Sequence, residues 1–208
     1  MRQTVIKTPP LLIALLLAAA LITGCSATNV TVQGNFPTPL SHPLPIHAGL
    51  VLDEAFQQHI YQDSDNRKLT FAIGAAQTAM LRSLSKGLFQ EVTELPSIDQ
   101  RNGLQLLLAP VVEDVQVAMP FENRLKVFEV WLKYNIRVYD QRGEPLADWI
   151  MSAYGKTPSR FLTSDEEALN QAAVVALRDA GARLLLEFHR IPEVQALVRT
   201  ASAGGNTP

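Results

Sequence analysis

The sequence predicts a two-layer α/β sandwich, a mostly antiparallel sheet with two main helices packed on one face. Three observations lead there. Residues Phe128–Tyr139 alternate apolar and polar side chains, the period of a half-buried strand, and turn back through Asp140-Gln141-Arg142-Gly143 into a second strand. The segments Gly74–Phe89 and Ser164–Arg190 repeat apolar residues at three- and four-residue steps, the mark of helices with one buried stripe. The order of strand, helix, several antiparallel strands and helix gives both stripes one sheet face to cover, so the other face is expected to be at least partly exposed.

The elements follow in order. Ile46–Leu52 is continuously apolar and reads as a buried strand. Asp53–Gln62 is expected to be a short helix or turn with Phe56 and Ile60 on one face. Asp63-Ser64-Asp65-Asn66 is a turn cluster, and Arg67–Ala72 a further strand through Leu69 and Phe71. The first main helix carries Ile73, Ala76, Met80, Leu81, Leu84 and Leu88 as its stripe. Gln90–Leu95 reads as a strand stopped by Pro96, and Ser97–Gly103 as a polar loop. Leu104–Met119 is a long strand whose Pro110 marks a bulge or an edge, because proline cannot donate to a sheet ladder. Leu146–Tyr154 is the return strand of the hairpin, with Gly143 suited to positive φ in the turn. The last helix opens on a capping box, Ser164 with Glu167, and stops before Pro192. A short amphipathic turn is expected at Glu193–Val198 and a disordered tail over 200–208.

Ahead of this domain the chain has a different character. Arg2 and Lys7 precede an unbroken apolar run, Leu11–Ile22, which Thr23, Gly24 and Cys25 close. A basic start, about a dozen apolar residues and a small-residue exit describe a secretory signal peptide, too short for a span of about 20 residues. Leu21-Ile22-Thr23-Gly24-Cys25 resembles the bacterial lipobox. That resemblance implies diacylglycerol on the Cys25 sulfur, cleavage before Cys25 and acylation of the new amino terminus. It also implies, with Ser26 rather than aspartate next, the outer membrane of a Gram-negative cell. Cys25 is the sole cysteine, so an internal disulfide is excluded. The expected division is therefore a signal peptide over 1–24, a lipidated cysteine and proline-rich tether over 25–45, a single domain over 46–199 and the tail. Pro37, Pro39, Pro43 and Pro45 keep the tether extended, with a reach of roughly 60 Å at about 3.1 Å per residue. Val30, Val32 and Phe36 have no use in an idle linker and suggest an arm that docks on the domain.

Composition narrows function. Of the charged residues, 16 basic and 20 acidic remain after Cys25, a net of −4 without a basic run, which argues against nucleic acid as a partner. His42, His47, His59 and His189 have no second ligand at a metal-site spacing, so no metal or cofactor is expected. Neither a Gly-x-Ser-x-Gly turn nor a phosphate-cradling glycine loop is present. Glu113 and Asp114 are adjacent and would face opposite sides of a strand, while Asp165-Glu166-Glu167 suit a helix start.

Two groups remain as candidate sites. Trp131, Lys133, Arg137 and Tyr139 share the outer row of the central strand, with Trp149 or Tyr154 expected nearby, and aromatics interleaved with bases suit a protein, glycan or anionic-lipid partner. The same row would also serve cross-strand packing or lie beneath the N-terminal arm. The second group is Lys156 and Arg160, in the stretch Tyr154–Phe161, read as a loop before a helix N-terminus where an anion could sit, or as a structured connection with Phe161 in the core.

The helix Gly74–Phe89, the hairpin Phe128–Tyr154 and the Ala-rich helix Ser164–Arg190 together resemble the small periplasmic α/β domains of accessory envelope lipoproteins. Such domains include activators of penicillin-binding proteins, the curli-secretion lipoprotein and auxiliary lipoproteins of lipid-transport systems. The resemblance implies a non-catalytic, outer-membrane-anchored protein that faces the periplasm and binds an envelope protein or complex. A lipid- or glycan-binding carrier or sensor is the alternative, and a hydrolase with scattered catalytic residues a third. The membrane, through the lipid anchor, is the other expected partner.

Overall fold

The computed structural model describes residues 28–63, 68–101, 103–160 and 163–204. Cys25 with its lipobox, most of the expected turn at 63–66, Phe161 and residues 205–208 lie outside the described residues. The chain builds β1 (Thr28–Thr31), β2 (Leu44–Val51), α1 (Glu54–Gln57), β3 (Ile60–Gln62), β4 (Leu69–Ala72), α2 (Gly74–Leu88), β5 (Phe89–Leu95), β6 (Leu106–Ala118), β7 (Val127–Asp140), β8 (Pro145–Pro158), α3 (Asp165–Glu187) and α4 (Pro192–Gly204).

The expected α/β sandwich is present. A five-stranded sheet runs β5-β2-β6-β7-β8, and a small second sheet runs β1-β4-β3. Antiparallel pairing dominates through the long β6–β7 and β7–β8 ladders, but β2 pairs in parallel with both β5 and β6. Parallel strands need a crossover, and α2 supplies the one before β5. The alternation of β7 holds on its inner row, where Phe128, Val130, Leu132, Tyr134, Ile136 and Val138 are all buried; on the outer row Trp131, Lys133 and Arg137 are exposed, Asn135 and Tyr139 half-buried and Glu129 buried.

Pro110 is accommodated in a way that joins both sequence-based expectations. β2 pairs with β6 only as far as Leu108, so Pro110 sits where that side of β6 has become an edge. The register then shifts between Val112 and Asp114, which leaves Glu113 as the extra residue of a bulge. In the hairpin turn Gly143 has φ +83, and Asp140 Oδ1 accepts from the N–H groups of Arg142 and Glu144 at 2.8 and 2.9 Å.

The helices pack as their stripes predict. Ser164 Oγ accepts from Glu167 N at 3.2 Å and caps α3, which buries Leu169, Ala173, Ala176, Leu177, Ala180 and Leu184. Small residues let α3 lie close to the sheet. At Gly155 of β8 an added Cβ would stand 2.1 Å from Ala172 O and 2.4 Å from Ala176 N. A buried chain of hydrogen bonds ties α1, α2 and β7 together. Tyr134 Oη donates to Gln77 Oε1 at 3.0 Å, and Gln77 Nε2 donates to Phe56 O at 2.7 Å.

Four boundaries differ from the sequence-based expectation. The segment expected as a tether is laid on the domain in its described part, 28–43. β1 pairs with β4, Val30 and Val32 join the core, Gln33 N donates to Asn170 Oδ1 at 2.8 Å, and Ser41 Oγ donates to Gly87 O. Burial of Val30 and Val32, with Phe36 packed against the core, offsets the entropy of ordering the proline segment. Ile60 begins β3 and is exposed, away from the buried Phe56. β8 continues to Pro158, four residues past the expected Tyr154. After Pro192 the chain forms a 13-residue helix that reaches Gly204, with Val194 buried, where a short turn and a tail from 200 were expected.

Candidate functional site

One half of the outer face of the large sheet is covered, with Ile98 and Leu104 from the chain between β5 and β6 packed on it. There Val51, Leu95 and Leu107 are buried together, with Ile98, Leu104, Ala109 and Tyr139 packed around them. Gly49 lies beneath this cluster, where a Cβ would meet Leu107 Cδ2 at 2.5 Å. Tyr139, expected among the binding residues, is half-buried against this small second core and still borders a surface pocket with Arg137 and Asp148.

The other half is open. Trp131, 37% exposed, stacks on Tyr154 across the hairpin with ring centroids 5.2 Å apart. Tyr154 Oη donates to Glu129 Oε1 at 2.6 Å, and Glu129 is 8% exposed. Burial first, and this contact with a carboxylate second, push the Tyr154 hydroxyl up to about 12. The tyrosine thus stays protonated and holds the aromatic pair in place. Lys133 is exposed between Asp114 and Ser152 in register. Arg137 lies 3.9 Å from Asp148, and Ile150, opposite Asn135, is 49% exposed. Trp149, the alternative neighbour of this row, pairs with Ile136 and so faces the helix side.

The expected loop site does not form. Tyr154–Pro158 is strand, with Lys156 paired opposite Glu129 and exposed, and Gly155 directly beneath α3. Arg160 is exposed beyond the end of β8, four residues before the helix cap at Ser164. Lys156 and Arg160 are not gathered around a common helix N-terminus. The two bases share sequence proximity and no anion-binding geometry.

Sequence reasoning missed a groove on the opposite side of the molecule. The arm residues Asn35–Leu40 run beside α2 and α3 and enclose about 580 Å³ with Met80, Leu84, Leu177 and Leu185, a size typical of small-ligand sites. The lining is mainly apolar, and Arg178 is its one charged residue among the described residues. The signal in the sequence was Phe36 and Leu40 among prolines, apolar residues that a solvated tether does not need. A second, more polar cleft of about 680 Å³ lies between the hairpin turn and α4, with Gln105, Asp140 and Leu197 in its wall.

Of the histidines, His47 Nδ1 meets Glu91 Oε2 at 3.2 Å on the surface, and burial lowers the pKa of His59. Among the described residues no three His, Cys, Asp or Glu side chains converge as a metal site. No described helix is long and apolar enough to cross a membrane.

No family model matches the chain, and no curated protein matches it. Solved structures similar to it include a Xanthomonas campestris protein of the DUF330 family, 10% identical, which covers 86% of this chain and 96% of that one with a TM-score of 0.47. A minor lipoprotein from Acinetobacter baumannii is 12% identical over 80% of this chain and 100% of its own, with a TM-score of 0.38. Uncharacterized lipoprotein B from Nitrosomonas europaea is 15% identical, covering 85% and 94%, with a TM-score of 0.34.

Proposed function

We propose that this chain is a lipid-anchored accessory protein of the bacterial envelope, held at the outer membrane on the periplasmic side. In this reading it binds an envelope protein through the open half of its sheet without chemistry of its own. The observation that carries the reading is the Trp131–Tyr154 stack beside Lys133, Arg137 and Ile150, an amphipathic aromatic surface of the composition that interface centres favour. The lipobox supports the anchor. Thr28 begins β1, and three residues span at most about 11 Å, so a lipidated Cys25 would hold the domain against the bilayer surface rather than on a long leash.

A photo-crosslinking residue placed at Trp131 or Lys133 tests the interface in intact cells. A discrete adduct from these two positions, absent from Glu166 on the helix side, is expected. Identical backgrounds from all three would refute the interface. For the anchor, Cys25→Ser is expected to abolish lipid labelling and membrane fractionation, and a membrane-bound, unlabelled product would refute it.

The apolar groove beneath the arm favours a second reading, a carrier of an acyl lipid with its head near Arg178. Native mass spectrometry of gently purified protein distinguishes the two, since a carrier retains a stoichiometric lipid adduct besides any covalent anchor.

A further inference from the structure

β8 closes one side of the five-stranded sheet, and no described strand pairs with its outer edge. Its pairing with β7 sets the direction of each backbone group. Tyr154 N–H points away from β7 and donates to Asp179 Oδ2 of α3 at 3.1 Å. In an antiparallel strand this direction alternates, so Asp148, Ile150, Ser152 and Lys156 also present their N–H and C=O groups outward. Such an edge, 14 residues long, is a template for another strand unless something blocks it. Asp179 occupies one donor along it.

The side chains of this edge are self-complementary about Ser152. We propose that β8 pairs antiparallel with β8 of a second copy of this chain, with Ser152 on the two-fold axis. That register sets Asp148 opposite Lys156 of the second copy, Ile150 opposite its Tyr154, and Ser152 opposite its counterpart. Opposite charges therefore meet twice and an exposed aliphatic side chain meets an aromatic one twice, all on the outer face. On the helix side Met151 and Ala153 are already buried beneath α3, so the outer face carries the match. An unrelated partner strand would not require a sequence that matches its own reverse in charge.

Helix α3 contributes a second strip to the same surface. Val175, Asp179, Ala182 and Leu186 recur at helical spacing, and Asp179 fixes that strip beside the β8 edge. Val175 and Leu186 are both exposed there. The two-fold axis brings this strip towards its own copy, which covers the pair. Formation of the ladder exchanges one hydrogen bond. Tyr154 N–H leaves Asp179 for the carbonyl of Ile150 in the second copy, and Asp179 keeps Arg183, 3.2 Å away. Tyr154 N–H thus keeps an acceptor throughout. The result is a ten-stranded sheet with two Trp131–Tyr154 stacks on its outer face, one on each side of the axis.

Sedimentation velocity of the full mature chain in detergent tests the pairing, with far-UV circular dichroism to confirm folding of each variant. The wild-type chain is expected to be dimeric. Asp148→Lys places like charges opposite each other at both ends of the ladder and is expected to weaken the dimer by about tenfold or more. Asp148→Lys combined with Lys156→Asp restores opposite charges and is expected to recover it. Ser152→Cys is expected to give a disulfide-linked dimer, since paired residues on the axis lie about 5.5 Å apart, whereas Ser164→Cys is not. A monomer at every concentration would overturn the proposal. So would a dimer that is indifferent to Asp148→Lys and unlinked by Ser152→Cys.

Discussion

Gly155→Ala tests how α3 is seated on the sheet. The added Cβ would lie 2.1 Å from Ala172 O and 2.4 Å from Ala176 N, against an ordinary contact of at least 3.4 Å. Both atoms are backbone, so no side-chain rotation relieves the clash, and α3 must lift by about an ångström over β8. Overpacking of a core costs about 1–3 kcal/mol, and a clash with an immovable helix backbone belongs at the upper end, about 3 kcal/mol. For a chain of this size each kcal/mol shifts Tm by about 2–4 °C, so a fall of roughly 6–12 °C is expected by differential scanning calorimetry. The lift also lengthens the bond from Tyr154 N–H to Asp179 and should raise hydrogen exchange at Tyr154. Gly103→Ala is the control. Its φ is +77 with nothing within 4 Å of the new Cβ, so it pays only for backbone strain, about 1–2 kcal/mol. If Gly155→Ala melts within 2 °C of wild type by this scale, the close approach of α3 to β8 is wrong.

Two further perturbations probe buried polar groups. Tyr134→Phe keeps the ring but leaves Gln77 Oε1 without its donor in a fully buried site, and a loss of about 1–3 kcal/mol in urea unfolding is expected. Adding Gln77→Met should return part of that loss, because Phe56 O still accepts from His59 N; strictly additive losses would contradict the buried chain. Burial lowers the folded-state pKa of His59, so the unfolded chain binds the proton more readily. That contribution to stability is complete above about pH 6.5 and declines as pH falls through the lowered folded value. His59→Asn should flatten the urea midpoint between pH 7.5 and 5 relative to wild type, and parallel profiles would show that His59 does not titrate in a buried state.

The sequence determined on its own the features that arise from local periodicity and local chemistry. The alternation of β7, the Asp140–Gly143 turn, the Ser164 cap and the stripes of α2 and α3 each depend on neighbours within a few residues. Periods of 2 and 3.6 write these directly into the chain, and the open aromatic–basic face follows from the same alternation, since Trp131, Lys133 and Arg137 stand where it put them.

Tertiary structure decided everything that depends on residues far apart. Tyr139 obeys the same alternation as Trp131, yet it packs against the cluster that Ile98 and Leu104 also join and is only partly exposed. Gly155 looked like a loop glycine because its steric partner lies on a helix beginning ten residues later. The arm's valines found β4 and α3, which a reading of proline spacing could not supply, and β2 acquired parallel neighbours through crossovers that leave no local mark. The physical reason is common to these cases. A side chain's period says which way it points, whereas burial depends on what the rest of the chain brings to that face.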